Sequence, residues 1–177
     1  MNAEAIERAI RRLAREILDR AREAGQGAGE LGIVGIRRGG VHLAERLAAE
    51  ISGAAGTRPP VGTLDIALYR DDVLEHAAPI VGPTDIRFPV QGRTIVLVDD
   101  VLYTGRTIRA ALDQLVDLGR PRRVWLAVLV DRGGRELPIA ADFVGSRITV
   151  ERDQDVEVRL KEGGASEDAV VVKRRSA

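Results

Sequence analysis

Two adjacent carboxylates precede a small, hydroxyl-rich turn in the segment VLVDDVLYTGRTI, Val96 to Ile108. Asp99 and Asp100 end an apolar run that is typical of a buried strand, and helical periodicity resumes after the turn. A turn that opens a helix presents unpaired N–H groups and the positive end of the helix dipole, so it binds anions. Carboxylates repel phosphate, but they accept hydrogen bonds from a vicinal diol or bind a divalent cation. This order of groups predicts a site for a ribose 5-phosphate.

The turn itself supplies the groups that a phosphate needs. Thr104 and Thr107 add hydroxyl donors, Gly105 allows close approach of the backbone, and Arg106 balances charge. The alternative is purely structural. In that interpretation the two aspartates form a plain turn and the first threonine only caps a helix.

Alternating strands and helices are predicted to position this turn. The predicted strands are Leu31–Ile36, Val61–Tyr69, Thr94–Val98 and Val124–Val130, and the predicted helices span Ile6–Ala21, Val41–Ile51 and Ile108–Val116. A brief apolar piece around Phe143 and Val144 and a C-terminal hairpin, VEVRL with AVVVKR, complete the chain.

This alternation predicts an α/β fold with a mostly parallel, twisted sheet flanked by helices. Ligands of such sheets bind beyond the carboxyl ends of the strands. Polar segments that begin near Arg37, Arg70, Asp99 and Asp131 all follow predicted strands. We therefore expect them to meet at one edge and to build a composite site.

Composition limits the remaining possibilities. A chain of 177 residues is expected to form a single domain, 1–177. A net charge of +0 excludes a generalised attraction to nucleic acid, although it leaves room for a local basic patch. No apolar run is long enough for a membrane span or a secretion signal, so we expect a cytoplasmic protein without a membrane partner. The absence of cysteine excludes disulfides, thiolate chemistry and cysteine-based zinc sites.

The segment Val96 to Ile108 resembles the phosphoribosyl pyrophosphate (PRPP) motif of the type I phosphoribosyltransferases. Longer stretches are similar to the PyrR family of pyrimidine operon attenuators and uracil phosphoribosyltransferases, and the similarity runs from about Ala9 to Gly145. The competing phosphate motifs, G-x-x-x-x-G-K-[ST] and a G-x-G-x-x-G after the first strand, do not occur. The stretches that carry the similarity are VGIRRGGVHLAERL, LDIALYRDD, DDVLYTGRTIRAALDQLVDLGRPRR and LAVLVDRGGRELPIAADFVG.

The resemblance implies a type I phosphoribosyltransferase fold with a mobile loop and a small base-recognising hood. It implies the reaction of uracil with PRPP to give UMP and pyrophosphate, with magnesium held largely by substrate oxygens and water. Asp99 and Asp100 are the protein groups considered for help with the metal. The implied partners are PRPP, uracil, UMP or UTP, pyrimidine-operon leader mRNA in many members, and further copies of the chain in a homodimer or higher homo-oligomer.

The resemblance also implies a set of site residues. Asp99 and Asp100 would hold the ribose, and Arg70 and Asp71 would begin the mobile loop. The 5′-phosphate would contact Val101, Leu102, Tyr103, Thr104, Gly105, Arg106 and Thr107. Pyrophosphate would contact Arg37, Arg38, Gly39 and Gly40, and the base would contact Val130, Asp131, Arg132, Phe143 and Val144.

Structural alternatives exist for three of these groups. The segment 36–40 is alternatively a plain turn with exposed arginines. The segment 70–89 is alternatively a surface excursion. Phe143 is as readily a core residue as a stacking surface, and neither His42 nor His76 is assigned as a general base.

Arginines on the polar side of the first helix resemble the basic helix that the family turns toward its leader RNA. The predicted RNA contacts are Arg11, Arg12, Arg15, Arg20 and Arg135. A solvated helix face with alternating acids is the alternative. The chain departs from the attenuators at Gly134, Ala140 and Ser146, where they often have His, Arg and Lys.

Three functions follow. The first is a uracil phosphoribosyltransferase that also regulates pyrimidine-operon transcription through UMP-dependent RNA binding. The second is a nucleotide-sensing RNA attenuator with little catalysis. The third is a phosphoribosyltransferase with a purine base.

Overall fold

The computed structural model describes residues 1–66, 84–151 and 153–174. Five parallel strands form the main sheet in the order β2-β1-β3-β4-β5, and β6 and β7 form a separate antiparallel hairpin. The strands are β1 (Leu31–Ile36), β2 (Val61–Leu64), β3 (Thr94–Leu102), β4 (Arg123–Asp131), β5 (Phe143–Arg147), β6 (Gln154–Arg159) and β7 (Ala169–Arg174). The helices are α1 (Ala3–Glu23), α2 (Gly39–Ala55) and α3 (Arg106–Asp117).

Helices cover both faces of the main sheet, and the strands alternate their side chains between them. On β3, Val96 and Val98 pack in the cluster that contains α1 and α2, whereas Ile95 and Leu97 pack in the cluster that contains α3. This alternation follows from the period of two in an extended chain. Each fully buried Leu or Ile contributes about 1.5–3 kcal/mol relative to its exposed state. The predicted α/β class with a parallel, helix-flanked sheet is confirmed.

Several predicted boundaries were wrong. Strand β2 ends at Leu64, and residues 67–69 of the strand predicted there lie outside the described residues. Strand β3 was expected to stop at Val98, but it continues to Leu102 because β4 keeps pairing with it as far as Asp131. The piece around Phe143 is a fifth strand of the sheet. The predicted C-terminal hairpin is confirmed.

Charged residues attach the hairpin to the rest of the molecule. Arg46 on α2 donates to Glu162 Oε1 at 2.7 Å and to Asp168 Oδ1 at 3.0 Å. The hydrogen bonds from Arg46 lower the pKa of both carboxyls and outweigh the opposing effect of partial burial. These ion pairs fix the hairpin against α2.

No helix in the described ranges is both long and apolar enough to cross a membrane.

Candidate functional site

The two aspartates lie at the carboxyl end of β3 and in contact with the start of α2. A Cβ atom on Gly39 would lie 2.0 Å from Asp100 Oδ2, and one on Gly40 would lie 2.2 Å from the carbonyl oxygen of Val98. The chain between β1 and α2 therefore approaches β3 as closely as glycine allows. Arg37 and Arg38, joined by a cis peptide bond, are exposed beside this contact.

Burial dominates the electrostatics of the acid pair. Asp99 is 5% exposed, and its Oδ1 accepts a hydrogen bond from the Asp100 amide at 3.0 Å. Asp100 Oδ1 accepts from the Val101 amide at 2.8 Å. Desolvation raises the pKa of both carboxyls, and the charge of Asp100 raises that of Asp99 further. Two crowded carboxylates in a dry environment favour a cation or hydroxyl donors as their partners.

The turn between β3 and α3 has the geometry of a helix N-terminus that faces an anion. Gly105 precedes the first helical residue with φ of 92°, which a residue with a side chain rarely adopts. The amides at the start of α3 have no partner within the helix. Thr104 and Thr107 are half-buried and Arg106 is exposed, so hydroxyl, guanidinium and amide groups come together at this turn.

Two residues predicted for the 5′-phosphate belong to the strand instead. Val101 pairs with Val130 and Leu102 pairs with Asp131, and the Leu102 side chain is 1% exposed. The turn therefore begins at Tyr103. The predicted set narrows to residues 103–107, because β3 continues past the acids rather than ending at them.

A loop after β4, residues 132–139, lies against this turn. The Thr104 carbonyl accepts hydrogen bonds from the Glu136 amide at 3.0 Å and the Leu137 amide at 3.1 Å. The Glu136 carboxylate pairs with Arg106 Nε at 2.7 Å. A Cβ atom on Gly105 would lie 3.3 Å from Ile139. The loop predicted to bind the base therefore also supports the turn predicted to bind the 5′-phosphate, residues 103–107, which is called the phosphate turn below.

Two side chains predicted for the base are committed elsewhere. Val130 is fully buried in the core. The Arg132 guanidinium stacks 3.8 Å from the centroid of the Tyr103 ring and donates to Asp155 Oδ1 and the Gln154 carbonyl, both at 2.9 Å. These contacts join β6 to the phosphate turn, and only the backbone of these two positions remains suited to a base.

Asp131 remains at the carboxyl edge of the sheet. Partial burial alone would raise its pKa, but hydrogen bonds from Arg135 and from the Gly133 amide lower it, and the charge of Arg147 contributes. Arg147 pairs in register with Asp131 at the end of β5. No role was predicted for Arg147, because the strand that carries it, β5, was not predicted.

The prediction of Phe143 as a stacking surface was wrong. Phe143 is 4% exposed and packs edge-to-face on Trp125, with ring centroids 5.9 Å apart. It is the first residue of β5, and Val144 follows it opposite Val128, so both lie away from the carboxyl edge. The core interpretation holds because β5 runs for three more residues before it reaches that edge.

Three of the arginines predicted to contact RNA make contacts with segments of the chain that are distant in sequence. Arg12 donates to the carbonyl oxygens of Val144 and Gly145 at 3.0 and 2.6 Å. Arg20 pairs with Asp142 at 2.7 Å, and its guanidinium lies over the Trp125 and Phe143 rings. These contacts dock α1 on the edge strand β5. Arg135 donates to the Tyr103 carbonyl of the phosphate turn.

The other two line a groove of about 390 Å³ between α1 and α2. Arg11 pairs with Glu7 on its own helix at 2.9 Å, and Arg15 is exposed. Small residues of α2 and the acidic Glu50 form the opposite wall. Of the four α1 arginines predicted to contact RNA, Arg11 and Arg15 are therefore the two that line this groove.

Arg70, Asp71 and His76 lie outside the described residues. Among residues 1–66, 84–151 and 153–174, no group of three or more His, Asp or Glu side chains is placed to hold a metal ion. The acid pair offers two carboxylates, which fits an ion that keeps water and substrate oxygens as its other ligands.

Comparisons with known proteins agree with this architecture. Residues 1–160 match the phosphoribosyl transferase domain family. A bifunctional protein PyrR from Roseiflexus is 53% identical over 178 residues, covering 100% of this chain and 95% of the relative. The bifunctional protein PyrR of Thermus aquaticus is 55% identical over 163 residues, covering 92% and 88%.

Solved structures share the fold at low identity. The hypoxanthine phosphoribosyltransferase of Trypanosoma cruzi, in complex with IMP, has a TM-score of 0.66 at 20% identity and covers 84% of this chain and 74% of its own. The HGPRT-ase of Leishmania tarentolae, in complex with GMP, has a TM-score of 0.68 at 18% identity and covers 85% and 80%.

Proposed function

The chain belongs to the phosphoribosyl transferase domain family and within it to the bifunctional PyrR proteins, and we propose that it converts uracil and PRPP to UMP and pyrophosphate. The observation that carries this proposal is the pair of the buried Asp99 and the half-buried Asp100, which lies between the Gly39–Gly40 contact and the Gly105 turn. We propose that it acts in the cytoplasm.

The acid pair suits the ribose, and the turn suits its phosphate. Both hydroxyls of the PRPP ribose would donate to Asp99 and Asp100, whose carboxylates are desolvated by burial. The 5′-phosphate would accept from the amides of residues 104–107 and from the two threonine hydroxyls. In this arrangement the anomeric carbon would face Arg37 and Arg38.

The exposed arginines after β1 would bind the pyrophosphate. Departure of pyrophosphate makes the ribose more positive and the leaving group more negative. Arg38 would stabilise the leaving group through bidentate contacts, while the buried acids would stabilise the ribose. A magnesium ion, when bound with PRPP, would neutralise further pyrophosphate charge, and among the described residues Asp99 and Asp100 are the carboxylates that would help to hold it.

Uracil would bind beside Asp131 at the carboxyl edge of β4. Because the Val130 and Arg132 side chains are occupied by packing, backbone groups of residues 130–133 would read its carbonyl and N–H groups. The β6–β7 hairpin, held next to this loop by Arg132, would form the hood over the base.

A regulatory function accompanies the enzymatic one. We propose that the chain regulates pyrimidine genes by binding leader RNA, with UMP or UTP as effector, and that Arg11 and Arg15 contribute to the RNA surface. A homodimer or higher homo-oligomer would bring two such surfaces together.

A panel of nucleobases tests the enzymatic proposal. With PRPP and magnesium, the chain should convert labelled uracil to UMP and leave hypoxanthine and guanine unreacted. Asp99→Asn should abolish turnover, whereas Asp113→Asn on the exposed face of α3 should not. Turnover of a purine base would show that the chain is a purine phosphoribosyltransferase. No turnover with any base would overturn the proposal of an enzymatic function.

A further inference from the structure

The Arg135 side chain makes hydrogen bonds in several directions at once. Its Nε donates to the Ile139 carbonyl at 2.9 Å, and its Nη1 donates to the Tyr103 carbonyl at 2.8 Å. Its Nη2 pairs with Asp131 Oδ1 at 2.7 Å, and the side chain is 23% exposed. Arg135 therefore joins the end of β4 to the first residue of the phosphate turn.

The same loop holds two consecutive carbonyls of that turn. Arg135 holds the carbonyl of Tyr103, and the amides of Glu136 and Leu137 hold the carbonyl of Thr104. In a trans peptide the C=O and the following N–H point in opposite directions across a rigid plane. Fixing these two carbonyls toward the loop therefore directs the N–H groups of Thr104 and Gly105 away from it.

From these contacts we infer that Arg135 is a positioning residue, which aims the Thr104 amide at the 5′-phosphate of the nucleotide. The inference rests on the proposed function, because it assigns to Arg135 a part in the binding of that phosphate. It replaces the prediction that Arg135 contacts RNA. The guanidinium is turned inward to two carbonyls and a carboxylate, which leaves it poorly placed for an external anion.

Geometry rather than charge makes arginine suitable here. The planar guanidinium carries five donors in a fixed fork, whereas lysine concentrates three donors on one atom. The acceptors lie on three segments, at Tyr103, Asp131 and Ile139, and a single ammonium does not reach all of them. Arg135→Lys keeps the positive charge and removes the planar fork of donors. The variant therefore shows whether the geometry of the side chain or its charge is responsible.

The experiment compares Arg135→Lys and Arg135→Gln with wild type. Arg159→Lys is the matched control, because Arg159 forms an ion pair with Glu157 on the exposed side of the hairpin. Calorimetry measures the Kd for UMP, and steady-state kinetics measures KM for PRPP and for uracil. Thermal unfolding of each variant shows that it is folded. If Arg135→Gln does not fold, Arg135→Lys alone decides.

We expect both substitutions to weaken UMP binding and to raise KM for PRPP about tenfold, the scale of one lost hydrogen bond to a charged group. KM for uracil should rise less than KM for PRPP, because the substitutions also release Asp131 beside the proposed base site, and the control should match wild type. A wild-type Kd for UMP in Arg135→Lys would overturn the inference. An equal rise in both KM values would also overturn it, since it would show a general structural role.

Failure of the proposed function gives a different result. In that case neither wild type nor the variants at position 135 would bind UMP.

Discussion

Gly40 packs so closely against Val98 that a Cβ atom at position 40 would lie 2.2 Å from the Val98 carbonyl oxygen. The obstacle is backbone in the middle of the parallel sheet, so it cannot rotate out of the way. The first turn of α2 and the acid pair on β3 therefore have one fixed relative position. The proposed pyrophosphate contacts lie at the start of α2 and the proposed ribose contacts lie on the acid pair. The distance between the two sets of contacts is therefore fixed as well.

Gly40→Ala should weaken PRPP binding, because α2 must move away from the acid pair to accommodate the methyl group. We expect the KM for PRPP to rise more than about tenfold and the protein to lose about 2 kcal/mol or more of stability. Gly53→Ala on the same helix is the matched control, since a Cβ there meets no atom within 4 Å. That change should be neutral or stabilise by about 0.5–1 kcal/mol. Equal behaviour of the two variants in a PRPP titration would contradict the proposed packing constraint.

Asp99→Asn should stabilise the protein at neutral pH while it removes activity. Burial raises the pKa of Asp99, so the folded state binds more protons than the unfolded state, and stability falls as pH rises from the unfolded pKa through the raised folded pKa. The asparagine keeps the acceptor for the Asp100 amide and has no charge to bury. We expect a gain of about 1 kcal/mol or more at pH 7 and a smaller gain near pH 4.

Chemical denaturation of wild type and Asp99→Asn at both pH values checks this expectation. A destabilisation of the same size at pH 4 and pH 7 would show that the charge of Asp99 is not an important cost in the folded state.

Arg20→Ala should loosen the attachment of α1 to β5. The change removes the ion pair with Asp142 and the contacts of the guanidinium with the Trp125 and Phe143 rings. Because the side chain is partly exposed, we expect a loss of about 1 kcal/mol. Arg22→Ala is the control, since Arg22 forms an exposed pair with Asp19 on its own helix, and it should cost less than about 0.5 kcal/mol. Thermal unfolding with tryptophan fluorescence measures both, and equal effects would count against this docking contact.

Arg11→Ala combined with Arg15→Ala should weaken leader-RNA binding without altering turnover. If both side chains neutralise phosphates, affinity falls and the slope of log affinity against log salt decreases by about 1.5 to 2. The substitutions lie on the exposed wall of the groove and leave the Arg12 and Arg20 contacts in place. Filter binding to the protein's own pyrimidine-operon leader over a salt series provides the measurement. An unchanged slope would remove these two residues from the RNA surface.

The sequence predicted most of the fold because hydrophobic periodicity directly reports which faces are buried. Strand β1 and the cores of α1, α2 and α3 have the expected positions. The adjacent acids and the Gly105 turn were identified from residue types alone, since their chemistry is local.

Contacts between distant segments could not be predicted in this way. The length of β3 depends on pairing with β4, and the start of β5 decides whether Phe143 lies in the core or at the edge. Arg135 and Arg20 were read as surface charges because their partners are far away in the sequence, at Tyr103 and Asp142. An arginine's partners are set by tertiary structure, and its own sequence neighbours do not reveal them.

A crystal structure of the protein with UMP would show where the phosphate and the ribose bind. We predict that the 5′-phosphate accepts hydrogen bonds from the amides of Thr104 and Gly105 and that the ribose hydroxyls donate to Asp99 and Asp100. A nucleotide bound with its phosphate away from the turn, or with its ribose away from both acids, would contradict it.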